Sequence, residues 1–377
     1  MTSTNENTIQ QARSFGQSIW YDNISRDLIA SGGLQRLVDT GITGVTSNPT
    51  IFDAAIAGGT SYDDAIMRHA ERHDDAARIF EELAVEDVRG AADVLRPVYE
   101  ETGGADGYVS IEVSPLLADD TEGTVTEARR LFGAIDRPNV MIKVPGTPAG
   151  MPAVRTLIGE GVNVNVTLLF AVDTYLAAAR AYIDGLDDYV RAGGKQPDRV
   201  ASVASFFVSR VDTAADGRLQ ELIDEGDAPE AVALLGKAGI ANAKLAYAEF
   251  QELFEGEAFA GLALAGARPQ RPLWGSTGVK NTAYPDTLYL DELMGPHTVN
   301  TAPPATIDAF IDHGTPGETV TRGVDEARRQ ITRLGELGID LDGITDDLLA
   351  AGVESFSDSF KSLVRRVDEK RRELSGR

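Results

Sequence analysis

The sequence predicts a (β/α)8 barrel of the TIM type, on three observations. Eight short strand-like segments alternate with helical patterns along most of the chain. In the third, fourth and fifth of these segments β-branched residues alternate with polar ones, so each strand carries one apolar and one polar face. A plain barrel needs about 250 residues, so a chain of 377 has room for additional helices without a second domain.

Taken in order, the strand segments are SIWYDN (Ser18–Asn23), ITGVTSN (Ile42–Asn48), GYVSIEVS (Gly107–Ser114), NVMIKVP (Asn139–Pro145), GVNVNVTL (Gly161–Leu168), RVASVAS (Arg199–Ser205), RPLWGS (Arg271–Ser276) and HTVNTA (His297–Ala302). Between them, apolar residues at helical spacing predict helices over Gly33–Asp39, Val85–Glu101, Thr124–Ile135, Ala149–Gly159, Val172–Ala192, Val208–Asp224 and Ala228–Phe254. The stretches Ala54–Glu101 and Phe206–Ala267 are long enough for two helices each. After the eighth strand, Val320, Val324, Ala327, Ile331 and Leu334, then Leu349, Val353, Phe356, Phe360, Leu363 and Val367, continue at helical spacing. The expectation is therefore one domain over 1–377, with strands within about 17–302 and a helical C-terminal extension over 303–377.

Composition narrows the function. With 59 acidic against 35 basic residues, the formal net charge is -24, which argues against binding nucleic acid or an anionic membrane. An anionic small substrate would need a local cluster of cations. The absence of cysteine excludes disulfides and thiolate chemistry. The polar N-terminus MTSTNENTIQQ has no signal-peptide core and no apolar run approaches membrane-spanning length, so a cytoplasmic protein is expected. His69 and His73 have zinc-like spacing, but HAERHDD reads as a solvated face, and no metal or cofactor is expected.

Lys143 is the residue that points to chemistry. Alone among the lysines it lies within an apolar strand, NVMIKVP; the other six fall in loops or helical patterns. Burial disfavours a charged amine, and a neutral amine is a nucleophile. A lysine whose stem packs while its head escapes to water would leave the same trace. The flanking strands favour chemistry, because their polar faces carry Glu112, Asn165 and Thr167. Active sites of such barrels lie at the C-terminal ends of the strands, where Asp22, Asn48, Ser205 and Ser276 also fall. Two carboxylates, one lysine and several hydroxyls and amides, without histidine or thiol, suit Schiff-base chemistry: the amine attacks a ketone, water leaves, and the iminium serves as an electron sink.

The segments YDNISRDLI, GITGVTSNPTIFDAAI, SIEVSPLLADDT, VMIKVPGTPAG, NVNVTLLF, SFFVSRVD and WGSTGVKN resemble, in order, those of the transaldolases, and most closely the longer bacterial branch of that family. The resemblance covers about residues 17–302. It implies a class I transfer of a dihydroxyacetone unit between sugar phosphates in the non-oxidative pentose phosphate pathway, by a monomer or a homodimer. It also implies that Lys143 is the nucleophile and Asp22 the acid–base at the C4 hydroxyl. Glu112 and Thr167 would hold the water exchanged on imine formation, and Asn48 and Asn165 would bind substrate hydroxyls. With Ser205 nearby, Arg210 and Ser276 would bind the phosphate. Shorter transaldolases carry an arginine two residues after that serine; here Gly278 stands there, and Lys280 is the candidate third ligand. A fructose 6-phosphate aldolase, which releases free dihydroxyacetone, and a non-catalytic sugar-phosphate-binding barrel are the alternatives.

Overall fold

The computed structural model of the protein describes residues 6–226 and 229–376. Eight parallel strands close into a barrel in sequence order: β1 (Gln17–Tyr21), β2 (Gly44–Val45), β3 (Tyr108–Glu112), β4 (Val140–Pro145), β5 (Val164–Leu169), β6 (Ser202–Phe207), β7 (Arg271–Gly275) and β8 (Thr298–Ala302). β8 pairs back onto β1, with Gln17 opposite Thr298 and Tyr21 opposite Ala302. The expected architecture is the observed one, including its helical C-terminal extension.

The period-two alternation decides what each strand buries. Val109, Ile111, Val140, Ile142, Val144, Val164 and Val166 join the helices in the main apolar core, each burial being worth about 1.5–3 kcal/mol. The opposite face fills the barrel, where Trp20, Tyr108, Met141, Val203, Leu273 and Val299 form a separate apolar plug. Gly44 is what admits the Trp20 indole, since a Cβ there would lie 2.4 Å from the ring. Above this plug, towards the C-terminal ends of the strands, the inward residues turn polar.

Several boundaries differ from expectation for local reasons. β2 shrinks to two residues because Asn48 leaves the strand to cap the helix Pro49–Ala57, its side chain accepting from the Ile51 N–H at 3.0 Å. β6 runs two residues further than expected, which makes Ser205 an interior rather than a terminal strand residue. The helix expected over Ala228–Phe254 begins at Ala238, after a 3-10 turn over Pro229–Leu234 and a left-handed Gly236. Its expected start, Ala228, lies outside the described residues.

Beyond β8, helices Pro304–His313, Val324–Glu336 and Leu341–Ser375 complete the described chain. The last packs on helices Pro49–Ala57, Asp63–Ala70 and Ala76–Glu101. Ion pairs of Arg366 with Asp53 at 2.5 Å and of Lys370 with Asp63 at 2.7 Å fasten it there. This course brings Phe356 over the mouth of the barrel. No helix among the described residues is long and apolar enough to cross a membrane.

Candidate active site

Parallel register brings the key side chains together. Pairing of β3 with β4 sets Glu112 opposite Lys143, and pairing of β4 with β5 sets Lys143 opposite Asn165. All three point into the barrel above the apolar plug. The Lys143 ammonium lies 2.7 Å from a Glu112 oxygen and donates to the Ser47 carbonyl at 3.1 Å. Its side chain is only 7% exposed, with the Phe356 ring centroid 6.0 Å from Nζ. Burial pushes the Glu112 carboxyl above the usual range, and the nearby Lys143 charge opposes that push.

The Glu112–Lys143 contact is an ion pair, and among the described residues no backbone N–H or hydroxyl donates to either Glu112 oxygen. The Thr167 hydroxyl, likewise buried, has no hydrogen-bond partner among the described residues. These groups and Lys143 border a side chamber of about 20 Å³, the size of one water molecule. Beside Thr167, Leu168 adopts a left-handed φ of 60° where the β5–β6 register shifts. That irregularity lets Thr167 and Leu168 both approach the chamber instead of alternating across the strand.

Asp22 sits one residue past β1, tied to the sheet by its N–H to the Ala302 carbonyl at 2.9 Å. Thr46 donates to its carboxylate at 2.6 Å, and the Thr46 and Thr301 hydroxyls are 2.6 Å apart. Burial pushes the Asp22 carboxyl up; the Thr46 hydrogen bond and then the Lys143 charge pull it back. A carboxylate so placed is a stronger base than a solvated one and is held in one orientation.

A cavity of about 260 Å³ runs from Lys143 and Asp22 to the loops after β6 and β7. Asn48, Thr167, Ser205, Arg210, Ser276 and Lys280 all line it. Among the described residues the Asn48 carbonyl oxygen caps a helix, which leaves its amide nitrogen as the polar group it can offer the cavity. Asn165 is fully buried beneath the cavity, donating to Ser110 at 3.1 Å and accepting from Ser205 at 2.6 Å, so among the described residues it acts as a support for Ser205.

At the far end, Arg210 lies against the Phe207 ring, 5.5 Å from its centroid, without a carboxylate partner among the described residues. Burial alone acts on its guanidinium, lowering its pKa. Ser276 adopts a left-handed φ of 53°, and its hydroxyl lies 3.0 Å from that of Ser209. A non-glycine residue in that conformation costs about 1–3 kcal/mol and is held by its surroundings. Gly278 packs against Pro303, where a Cβ would come within 3.1 Å of the ring. This crowding suits a glycine there, and Lys280 beyond it is exposed.

Sequence reasoning missed Thr46, Thr301, Phe207 and Phe356. The two threonines are legible in hindsight as hydroxyls at strand ends. Phe356 had no local signal, since its helix is 35 residues long and only its path places one aromatic ring over Lys143. The zinc-like pair is otherwise engaged: His69 lies 3.0 Å from Glu86 and His73 3.9 Å from Glu82.

Comparison with known proteins fits this geometry. Residues 19–367 match the family model described as Transaldolase/Fructose-6-phosphate aldolase. The chain is 45% identical to a protein named Transaldolase from Trichodesmium erythraeum, covering 98% of this chain and 99% of that relative. It is 48% identical to a Transaldolase from Thermobifida fusca, over 95% of this chain and 97% of the relative. A Transaldolase 2 from a Nostoc species is 46% identical, over 98% and 99%. The chain therefore belongs to the transaldolase/fructose-6-phosphate aldolase family.

Proposed function

We propose that the protein is a transaldolase that transfers a dihydroxyacetone unit from a ketose phosphate, sedoheptulose 7-phosphate or fructose 6-phosphate, to an aldose phosphate, through a Schiff base on Lys143. The observation that carries this reading is the grouping of Lys143, Glu112 and Thr167 around a one-water chamber, with Lys143 and Thr167 also lining the cavity that Asp22 borders. Lys143 passes a proton to Glu112, 2.7 Å away, and the amine so freed attacks the donor's C2 carbonyl to give a carbinolamine. The carbinolamine hydroxyl leaves as water into the chamber, where Glu112 and Thr167 supply and take back the protons. Asp22 then removes the C4 hydroxyl proton as the C3–C4 bond breaks, and the bonding electrons pass into the iminium to form an enamine. An aldose leaves. The enamine attacks the acceptor's aldehyde carbon, Asp22 returns its proton to the new alkoxide, and water hydrolyses the imine.

Arg210 and Ser276, with Ser205 between them and the lysine, are the groups we assign to the substrate's far end, where Arg210 would bind the phosphate and Lys280 would add a weaker, solvated charge. An overall charge of -24 supports small sugar phosphates held by these local cations, and not nucleic acid, as partners. The same reading takes the cytoplasm as the compartment and both Asn48 and Asn165 as parts of the hydroxyl-binding apparatus, Asn165 through Ser205.

The test is turnover of fructose 6-phosphate with and without erythrose 4-phosphate. Rapid turnover that requires the acceptor is expected. Release of free dihydroxyacetone at a comparable rate without acceptor would instead favour the aldolase activity.

A further inference from the structure

At the opposite end of the barrel lies a second concave site of about 480 Å³, bordered by Arg13, Asp106, Arg268, Arg271 and His297. Its residues come from distant parts of the chain. Arg13 is in the last turn of helix Thr8–Ser14, Arg268 and Arg271 flank the entry to β7, and His297 precedes β8. Gly16 lets these parts meet: at a left-handed φ of 84°, the site where its Cβ would stand is 2.8 Å from the Pro296 backbone.

The charge here runs against the rest of the molecule. Most arginines of this acidic chain are paired with carboxylates, but Arg13 and Arg268 have no carboxylate partner among the described residues, a property they share with Arg210 and with Arg36, Arg72, Arg89, Arg180, Arg322 and Arg365. Arg271 is largely buried, and its nearest carboxylate, Asp106, is 3.7 Å away. Asp106 is already engaged by the Ser18 hydroxyl, the Trp20 indole N–H at 2.8 Å and the Gly107 N–H at 3.1 Å. Arg271 is oriented by the Ser18 hydroxyl and the Thr298 and Ala105 carbonyls, and Arg268 donates to the Gly103 carbonyl at 3.0 Å. Each therefore keeps donors in hand while its orientation is set. His297 borders the same site in a left-handed conformation with φ of 60°, a strained geometry of the kind that marks functional sites.

Three guanidinium groups against one carboxylate suit a dianion, and the fork of donors on each guanidinium matches phosphate oxygens. The volume is within the range of small-molecule sites. We propose that this pocket, at the N-terminal end of the strands, is a second ligand site that binds a phosphate group, free or carried on a small ester, independently of the catalytic cavity.

Calorimetric titration of the full-length protein tests this, with inorganic phosphate and glycerol 3-phosphate as separate probes. Arg210→Ala serves as the background, to remove phosphate binding in the catalytic cavity. One equivalent is expected to bind in that background, and adding Arg13→Ala with Arg268→Ala should weaken it at least about tenfold. Tighter binding of glycerol 3-phosphate would identify an ester as the ligand, and tighter binding of inorganic phosphate the free ion. In the otherwise native protein the same two substitutions should leave kcat and KM unchanged. Arg13→Glu is a second probe that spares the fold, because Arg13 is exposed, and it should weaken binding as well. Absence of binding in the Arg210→Ala background, or binding indifferent to Arg13 and Arg268, overturns the proposal. Two equivalents in that background, one of them lost with Arg13 and Arg268, would uphold this site and count against Arg210 as the catalytic phosphate ligand.

Discussion

At the Lys143 end of the cavity Lys143, Glu112 and Thr167 are placed by strand pairing, whereas at the Arg210 end the groups stand on the turn after β7 and at the start of the helix Ser209–Glu225. Glu112 and Lys143 are each less than a tenth exposed, while Arg210 is partly exposed and Lys280 exposed. The difference matches two tasks. Covalent chemistry needs reacting atoms held in one geometry in a site of low dielectric. Binding a phosphate needs charge at the right distance, and it acts on ground and transition states alike.

The largest effect should come from Lys143→Arg, which keeps the positive charge but cannot form an imine. Activity should vanish, and borohydride with fructose 6-phosphate, which should leave a three-carbon adduct on Lys143 of the native protein, should label nothing in the variant. An adduct mapped to another lysine would break the division between the two ends. Next in size is Arg210→Ala. Loss of a charge-assisted hydrogen bond worth about 1.5–3 kcal/mol should raise KM about ten- to a hundredfold while kcat changes much less. An equal penalty on phosphorylated and unphosphorylated donors would remove Arg210 from the phosphate end.

Thr46→Val probes the chemical end more gently. The Thr46 hydroxyl donates to Asp22 and so favours its ionised form. Without it the Asp22 carboxyl, already raised by burial, should rise further, so the acid limb of the kcat/KM profile should move to higher pH. The loss should grow as pH falls along that limb and vanish on its alkaline side; a uniform loss across pH would mean that Thr46 merely packs. The smallest effect is expected from Lys280→Ala. An exposed cation is screened by water and salt, so KM should change by less than about twofold. A change as large as that of Arg210→Ala would make the phosphate end more enclosed than its exposure indicates.

Local chemistry made much of this protein legible from its residues in order. Alternation in YVSIEVS, VMIKVP and NVNVTL sorts inward from outward side chains whatever the surrounding fold, because strand geometry has a period of two. Hence the barrel, the buried Lys143 and the facing Glu112 could be read before any coordinates, and the seven ordered segments identified the family. Strand register, loop path and the course of the last helix carry no such period. They decided that Asn48 caps a helix, that Asn165 serves Ser205 from below, that Thr46 and Thr301 support Asp22, and that Phe356 covers Lys143. They also gathered Arg13, Arg268 and Arg271 at the other end of the barrel. Each of these contacts joins residues far apart in the chain, and such contacts are set by how whole elements pack and not by the pattern within any one of them.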